Sequence, residues 1–408
     1  MKILVIIADC ITTNSSANLC HLAYLNGFIH GKHQVTLISG DSSSYITDQN
    51  LTIPDGIETC FVDGASYYEK LAHKRHGVNR HNPMPKTQNT AVQEKKSSKQ
   101  RIVHIAKETI RNTLYGSHGI YKAFVRKAKN ISIKENFDWI VSISPPSASH
   151  LLAHKLLSSG RIHGNHWLQI WEDPWYGDVY LSLNQKIYRD EKKLLQYAEK
   201  VCYVSPLTLF NQQRLFPESA GKMYWQPLPY YYKRIEKNRR DFDKNSYGYF
   251  GDYVPQTRDL KPFYEAARQT GIQVNICGSP NNLFASTESI TIYPRLPLDK
   301  LKPIEDKTNV LIFLCNRKGG QIPGKIYQYS ATYKTILFIL DGTDEEKKVL
   351  RNYFEKFNRY VFCENSVEDI TRAIKDIENG NIGKVKNEPV EALNPKETIR
   401  KILAGEMG

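Results

Sequence analysis

The chain has 408 residues, of which 40% are hydrophobic, 24% charged and 11% aromatic. That length favours two domains over one. The composition excludes a disordered or collagen-like chain, and no apolar run approaches the roughly 20 residues that a membrane-spanning helix needs. The formal charge of +14 is unevenly spread: between Lys70 and Asn130, fifteen Lys or Arg stand against Glu94 and Glu108. The remainder of the chain is close to neutral.

In chain order, residues 2–8 predict a buried strand. Their apolar character imitates the core of a secretion signal, but the run is too short, Asp9 interrupts it, and no small residue stands just before Cys10. A helix over 16–31 and strands over 34–39 and 57–62 follow, and then a basic insertion at about 65–130. The stretch HGVNRHNPMPKTQNTAVQEKKSSKQ is polar and reads as a long loop, whereas from Arg101 to Lys129 apolar residues recur at helical spacing among cations. Such a basic amphipathic element is suited to anionic lipid headgroups, and equally to being a solvated helix face. Nucleic acid is not expected, because no recognised binding module accompanies the charge.

Alternation then continues with strands over 139–144, 167–170 and 200–204 and helices over 147–157 and 181–198. A polar, proline-punctuated linker, QPLPYYYKRIEKNRRDFDKNS, precedes a second series. There YGYFG, VNICG, VLIFL, TILFIL and YVFC read as strands, with helices over 260–270, near 298–301, and over 325–329, 345–357 and 367–378. Strand–helix alternation of this kind predicts an α/β chain of two doubly wound, Rossmann-like domains. The expected boundaries are 1–228 and 229–394, with a C-terminal helix at 395–408 packing back on the first domain. Seven cysteines form no CxxC pair and lie mostly in apolar runs, as small buried hydrophobes do, so a reducing cytoplasm is expected.

The segment GGQIPGKIYQYSATYKTILFIL, residues 319–340, places glycines, a proline and Lys325 ahead of a helix that runs into an apolar strand. In a parallel sheet, loops at the carboxyl ends of strands bind ligands. Glycines allow close backbone approach there, and a lysine adds positive charge for a phosphate. The same spacing also suits a capped core helix with a surface lysine, and the GxxxxGK[ST] phosphate loop is absent.

IPGKIYQYSATYKTILFIL is similar to the PxKxYEYLAxGKPIL signature of GT-B glycosyltransferases, particularly family-4-like enzymes of bacterial surface polysaccharide (capsule or O-antigen) assembly. The likeness extends over nearly the whole chain. FDWIVSISPPSASHLLAHKLL and LQIWEDPWYGD resemble the family's DxVxxxxPP and xDxWxDP segments, and YGYFGDYVPQTRDLKPFYEAARQ resembles the opening of its nucleotide-binding domain. The resemblance implies a GT-B fold with an interdomain cleft. It further implies a nucleotide-sugar donor, a UDP-sugar before a GDP-sugar, and a lipid-linked oligosaccharide acceptor, with no metal or other cofactor. Sugar transfer with retention at the inner face of the membrane would follow, the segment 70–130 meeting anionic lipid.

Position by position, Arg258 and Lys325 match the cations that neutralise the donor diphosphate, and Gln328 stands where a glutamate binds the ribose. Gly251, Pro323, Gly324 and Ile326 keep the donor-site pattern, while Ser279, Arg295 and Leu296 fall on loops that meet the diphosphate and base. Asp252 replaces a frequent arginine, Gly320 replaces the first of two glutamates, and ATYKT replaces the usual AxGKP. Asp173 matches a family aspartate. It and Glu172 follow an apolar strand among Trp171, Trp175 and Tyr176, where a carboxylate serves as general base or orienting acceptor, or merely shapes a turn. Asn14, Ser15 and Ser16 offer groups for an acceptor, and equally an ordinary helix cap. Two rival functions share these features: a UDP-sugar epimerase of the same fold, and a non-enzymatic protein binding polyanions or membranes.

Overall fold

The computed structural model describes residues 1–67, 69–70, 116–178, 183–231 and 245–408. The chain folds into two compact units. One comprises Met1–Val204, Thr208–Tyr231 and Pro395–Gly408; the other comprises Ser205–Leu207 and Tyr232–Asn394.

The first unit is built on a wholly parallel sheet of β1 (Lys2–Ile6), β2 (Gln34–Gly40), β3 (Ile57–Val62), β4 (Asn136–Ser144), β5 (His163–Trp171), β6 (Lys200–Tyr203) and β7 (Met223–Trp225). Its spatial order is β3-β2-β1-β4-β5-β6-β7, with Ile3 opposite both Val35 and Trp139. Strand order therefore reverses between β1 and β4, which places the ligand-binding crevice of such a sheet at their carboxyl ends. The near-continuous apolar run of β1 is explained by burial on both faces, as crossover helices require. Helix Pro395–Ala404 packs on helix Ser16–His30. Gly27 permits that approach, since a Cβ there would lie 2.4 Å from the Pro395 carbonyl oxygen.

The second unit carries β8 (Ser246–Phe250), β9 (Gln273–Cys277), β10 (Ile290–Tyr293), β11 (Val310–Leu314), β12 (Thr335–Leu340) and β13 (Val361–Glu364). All are parallel in the order β10-β9-β8-β11-β12-β13, so its crevice lies where β8 and β11 end. Its core joins Tyr247, Ile276, Ile312 and Ile339 from the strands to Phe263, Ala267, Ile370 and Ile374 from two helices. Burial of such side chains is worth about 1.5–3 kcal/mol each.

The structure changes three readings of the sequence. The edge strands β7, of three residues, and β10, of four, were not among the expected strands. The expected helix over 101–129 is only Lys122–Ala128 within the described residues, preceded by a 3-10 stretch in which Gly119 has φ 57°; residues 101–115 lie outside the described residues. Most of the basic insertion and residues 232–244 of the linker also lie outside them. Lastly, the ATYKT departure has a physical brace. Buried Arg359 donates from Nη2 to the carbonyls of Thr332 and Lys334, and Lys334 Nζ reaches the carbonyls of Glu305 and Asp306 at a helix end. A side-chain pair thus holds the turn that glycine and proline form elsewhere in the family resembled.

Candidate active site

In the second unit, Arg258 lies over the strand-order reversal. Its Nε donates to Asn316 Oδ1 at 2.7 Å and its Nη1 to the Asp252 carbonyl at 3.1 Å. Asn316, just past β11, is itself fixed by donating to the Gln321 carbonyl at 3.0 Å. The guanidinium is thereby tied to both strands flanking the crevice. Lys325 Nζ stands 6.0 Å from the centroid of Phe250, the last residue of β8, and Arg258 Nη1 lies 3.8 Å from the place a Gly251 Cβ would take. Both predicted cations consequently converge on the carboxyl end of β8.

The helix bearing Lys325 is short, Lys325–Tyr329. It buries Ile326, Tyr327 and Tyr329 and leaves Lys325 and Gln328 half-buried, a pair three apart on one face. Gly319 and Gly320 adopt φ of 94° and 72°, conformations that L side chains rarely take, whereas Gly324 sits in the right-handed region at φ −58°. Glycine at 324 is thus no backbone necessity. Pro323 is half-buried beside it, and Ser205 Oγ donates to the Gly320 carbonyl, pinning the loop.

Asp252 is already engaged where the family resembled often has arginine. Its Oδ1 accepts the Ser279 amide at 3.1 Å, and its Oδ2 lies 3.5 Å from Nη1 of exposed Arg295. Leu296 is half-buried next to it. The amide of Ser279, a residue of the loops expected to meet the diphosphate and base, therefore binds a carboxylate of the chain itself.

In the first unit, β5 ends in Trp171 and the loop Glu172-Asp173-Pro174-Trp175-Tyr176. Glu191 secures this loop from the helix Gln185–Tyr197, accepting the Tyr176 amide, while Gln212 Nε2 donates to the Tyr176 carbonyl at 3.0 Å. Burial, partly offset by the Tyr176 and Trp175 amides, raises the Glu191 carboxyl to about 8. Asp173 is half-buried. Glu172 instead turns inward, only 8% exposed, with Oε1 3.4 Å from Nε2 of fully buried His21. Burial, and then the neighbouring Asp173 charge, hold the Glu172 carboxyl well above the usual carboxylate range, so it is poorly suited to act as a general base at neutral pH. Burial likewise lowers His21 to about 3.

Three histidines that sequence reading passed over gather at the carboxyl ends of these strands. His118 contacts Ser147 Oγ through Nδ1 at 3.1 Å and lies 4.6 Å from the Trp175 ring, linking the loops after β4 and β5. His150 bonds Ser142 Oγ at 2.8 Å and lies 4.2 Å from Trp171. His21 completes the set. Only the register of His21 and His150 on buried helix faces could have signalled them.

Among the acceptor candidates, Ser15 caps the helix Ser16–His30 by accepting the Asn18 amide, Asn14 Nδ2 donates to Asp48 Oδ2 at 2.7 Å, and Ser16 is exposed. Asp9, at the start of that loop, is raised to about 7 by burial, against the Cys10 amide that favours its charge. Among the described residues, no three His, Cys, Asp or Glu side chains are grouped to hold a metal ion, and no helix is long and apolar enough to cross a membrane.

No protein-family model matches the chain, and no curated protein matches it in sequence. Solved structures do match along its full length. The catalytic domain of starch synthase IV from Arabidopsis thaliana, bound to ADP and acarbose, superposes with a TM-score of 0.58 at 9% identity over 97% of this chain and 95% of that one. Anabaena HepE (Alr3699), in complex with UDP and glucose, superposes with a TM-score of 0.53 at 12% identity over 99% and 98%. The chain has the GT-B fold. Both parallel sheets of seven and six strands belong to that fold, and each GT-B unit here presents its candidate residues at the carboxyl end of its own sheet.

Proposed function

We propose that this GT-B chain transfers a sugar from a nucleotide-sugar donor, UDP-linked before GDP-linked, to a saccharide acceptor. The observation that carries this reading is the guanidinium of Arg258, fixed by Asn316 and the Asp252 carbonyl over the β8–β11 crevice with Lys325 at the end of β8. A pre-oriented cation pair of this kind suits a diphosphate leaving group. It neutralises the charge that develops as the bond from the anomeric carbon to the phosphate oxygen breaks. The two GT-B structures matched above were each obtained with a nucleoside diphosphate and a saccharide ligand, which supports the same chemistry.

In this reading Gln328 accepts a ribose hydroxyl and the loop at Arg295 and Leu296 meets the base. Asp173 orients the acceptor hydroxyl, whose oxygen bonds to the anomeric carbon while its proton passes to the departing phosphate, with retention and without a metal. The acceptor is a lipid-linked oligosaccharide of capsule or O-antigen type, drawn to the inner face of a membrane by the basic residues of the segment 70–130. Calorimetric titration with UDP, GDP, ADP and UDP-glucose tests the reading. Binding of a nucleotide, strongest for UDP, is expected; absence of binding by all four overturns it.

A further inference from the structure

The hydrogen bonds around His21 fix the tautomer of its ring. Asn18 Nδ2 has two protons, and both are used: it donates to the Cys10 carbonyl at 2.9 Å and to the Thr13 carbonyl at 2.8 Å. Its Oδ1 therefore faces His21 Nδ1, 3.1 Å away, and can only accept. Nδ1 carries a proton, and Nε2 of a neutral ring carries a lone pair. Glu172 Oε1 lies 3.4 Å from that nitrogen, and neither atom has a hydrogen-bond partner among the described residues. Two lone pairs facing each other in a buried site would be strongly unfavourable, so one proton lies between them. The other groups that bear on the pair are Asp173, next in the chain, and the Cys20 thiol on the helix Ser16–His30. A negative Asp173 opposes ionisation of Glu172, and burial opposes a separated imidazolium and carboxylate.

We infer that Glu172 is a protonated carboxylic acid donating to neutral His21, and that this pair positions the loop carrying Asp173. The connection runs Cys10 and Thr13 carbonyls, Asn18, His21, Glu172, so the loop after β1 and the loop after β5 are locked together through buried groups. His21, Asn18 and Glu172 are then positioning residues for the loop that carries half-buried Asp173. The assignment to a positioning role rests on the sugar-transfer reading given above; the shared proton itself does not.

The test combines 15N spectroscopy of histidine-labelled full-length protein with unfolding of wild type and Glu172→Gln from pH 5 to pH 8, the His21 signal being identified by its loss in His21→Phe. His21 is expected to remain neutral with the proton on Nδ1 throughout. Above about pH 5.5 the folded wild type holds a proton that its unfolded Glu172 has released. The ratio of unfolding constants, wild type over Glu172→Gln, should therefore rise about tenfold per pH unit. A His21 signal that titrates near its ordinary midpoint, or carries its proton on Nε2, overturns the pair, as does a ratio independent of pH. Should Glu172→Gln not fold, the spectrum of the wild type decides alone. Neither measurement uses a nucleotide, so failure here and failure of the transferase reading are told apart.

Discussion

Replacing Arg258 by alanine removes the contact on which the proposed donor site most depends. The structure holds this guanidinium at two atoms, Nε on Asn316 and Nη1 on the Asp252 carbonyl, so little side-chain freedom remains to be lost when an anion binds. A charge-assisted hydrogen bond is worth about 1.5–3 kcal/mol. At about 1.4 kcal/mol for each factor of ten, Arg258→Ala should weaken UDP binding by roughly 10- to 140-fold. Asn316→Ala leaves the charge but removes one brace, and should cost about 1 kcal/mol, roughly fivefold. Calorimetry with UDP at fixed ionic strength, with circular dichroism to establish folding, measures both. If wild type binds UDP and Arg258→Ala binds it equally well, the guanidinium does not meet the diphosphate and the reasoning fails; if Asn316→Ala matches wild type, the brace is irrelevant.

Asp252→Asn should strengthen UDP binding, by about 1 kcal/mol or roughly fivefold, since it removes a negative charge close to the expected diphosphate and weakens the hold on the Ser279 amide; the same titration shows weaker binding if Asp252 instead orders the site. Glu191 supplies a pH dependence. Its unfolded carboxyl ionises near 4.5 while the folded one stays protonated to about 8, so its contribution to stability is full below 4.5 and falls as pH rises through that window. Urea unfolding from pH 5 to 8 should show a flatter profile for Glu191→Gln than for wild type, and parallel profiles would contradict the raised value. Neutralising Lys95, Lys96, Lys99 and Arg101 to glutamine should lower binding to phosphatidylserine vesicles at least tenfold, given about 1 kcal/mol per basic residue near an anionic surface. Unchanged co-sedimentation would remove the membrane role.

Strand and helix order was legible because each apolar run is long and both-face buried, as β1 and β12 show, and because parallel pairing then follows from alternation. The convergence of Arg258 and Lys325, 67 positions apart in the chain, was legible only through a family likeness, since no local spacing links two loops. Glu172 and Asp173 are adjacent in sequence and of one chemical type, yet the fold buries the first against His21 and leaves the second half-exposed. The loop after β5 sends these neighbouring side chains to different environments, and burial disfavours the charged form of Glu172. The sequence by itself determined two alternating α/β halves and which residues bear charge. Only the tertiary structure decided that Asp252 engages the Ser279 amide, that Arg359 braces the ATYKT turn, and that three unremarked histidines line the loops of the first unit, because each depends on contacts between segments distant in the chain.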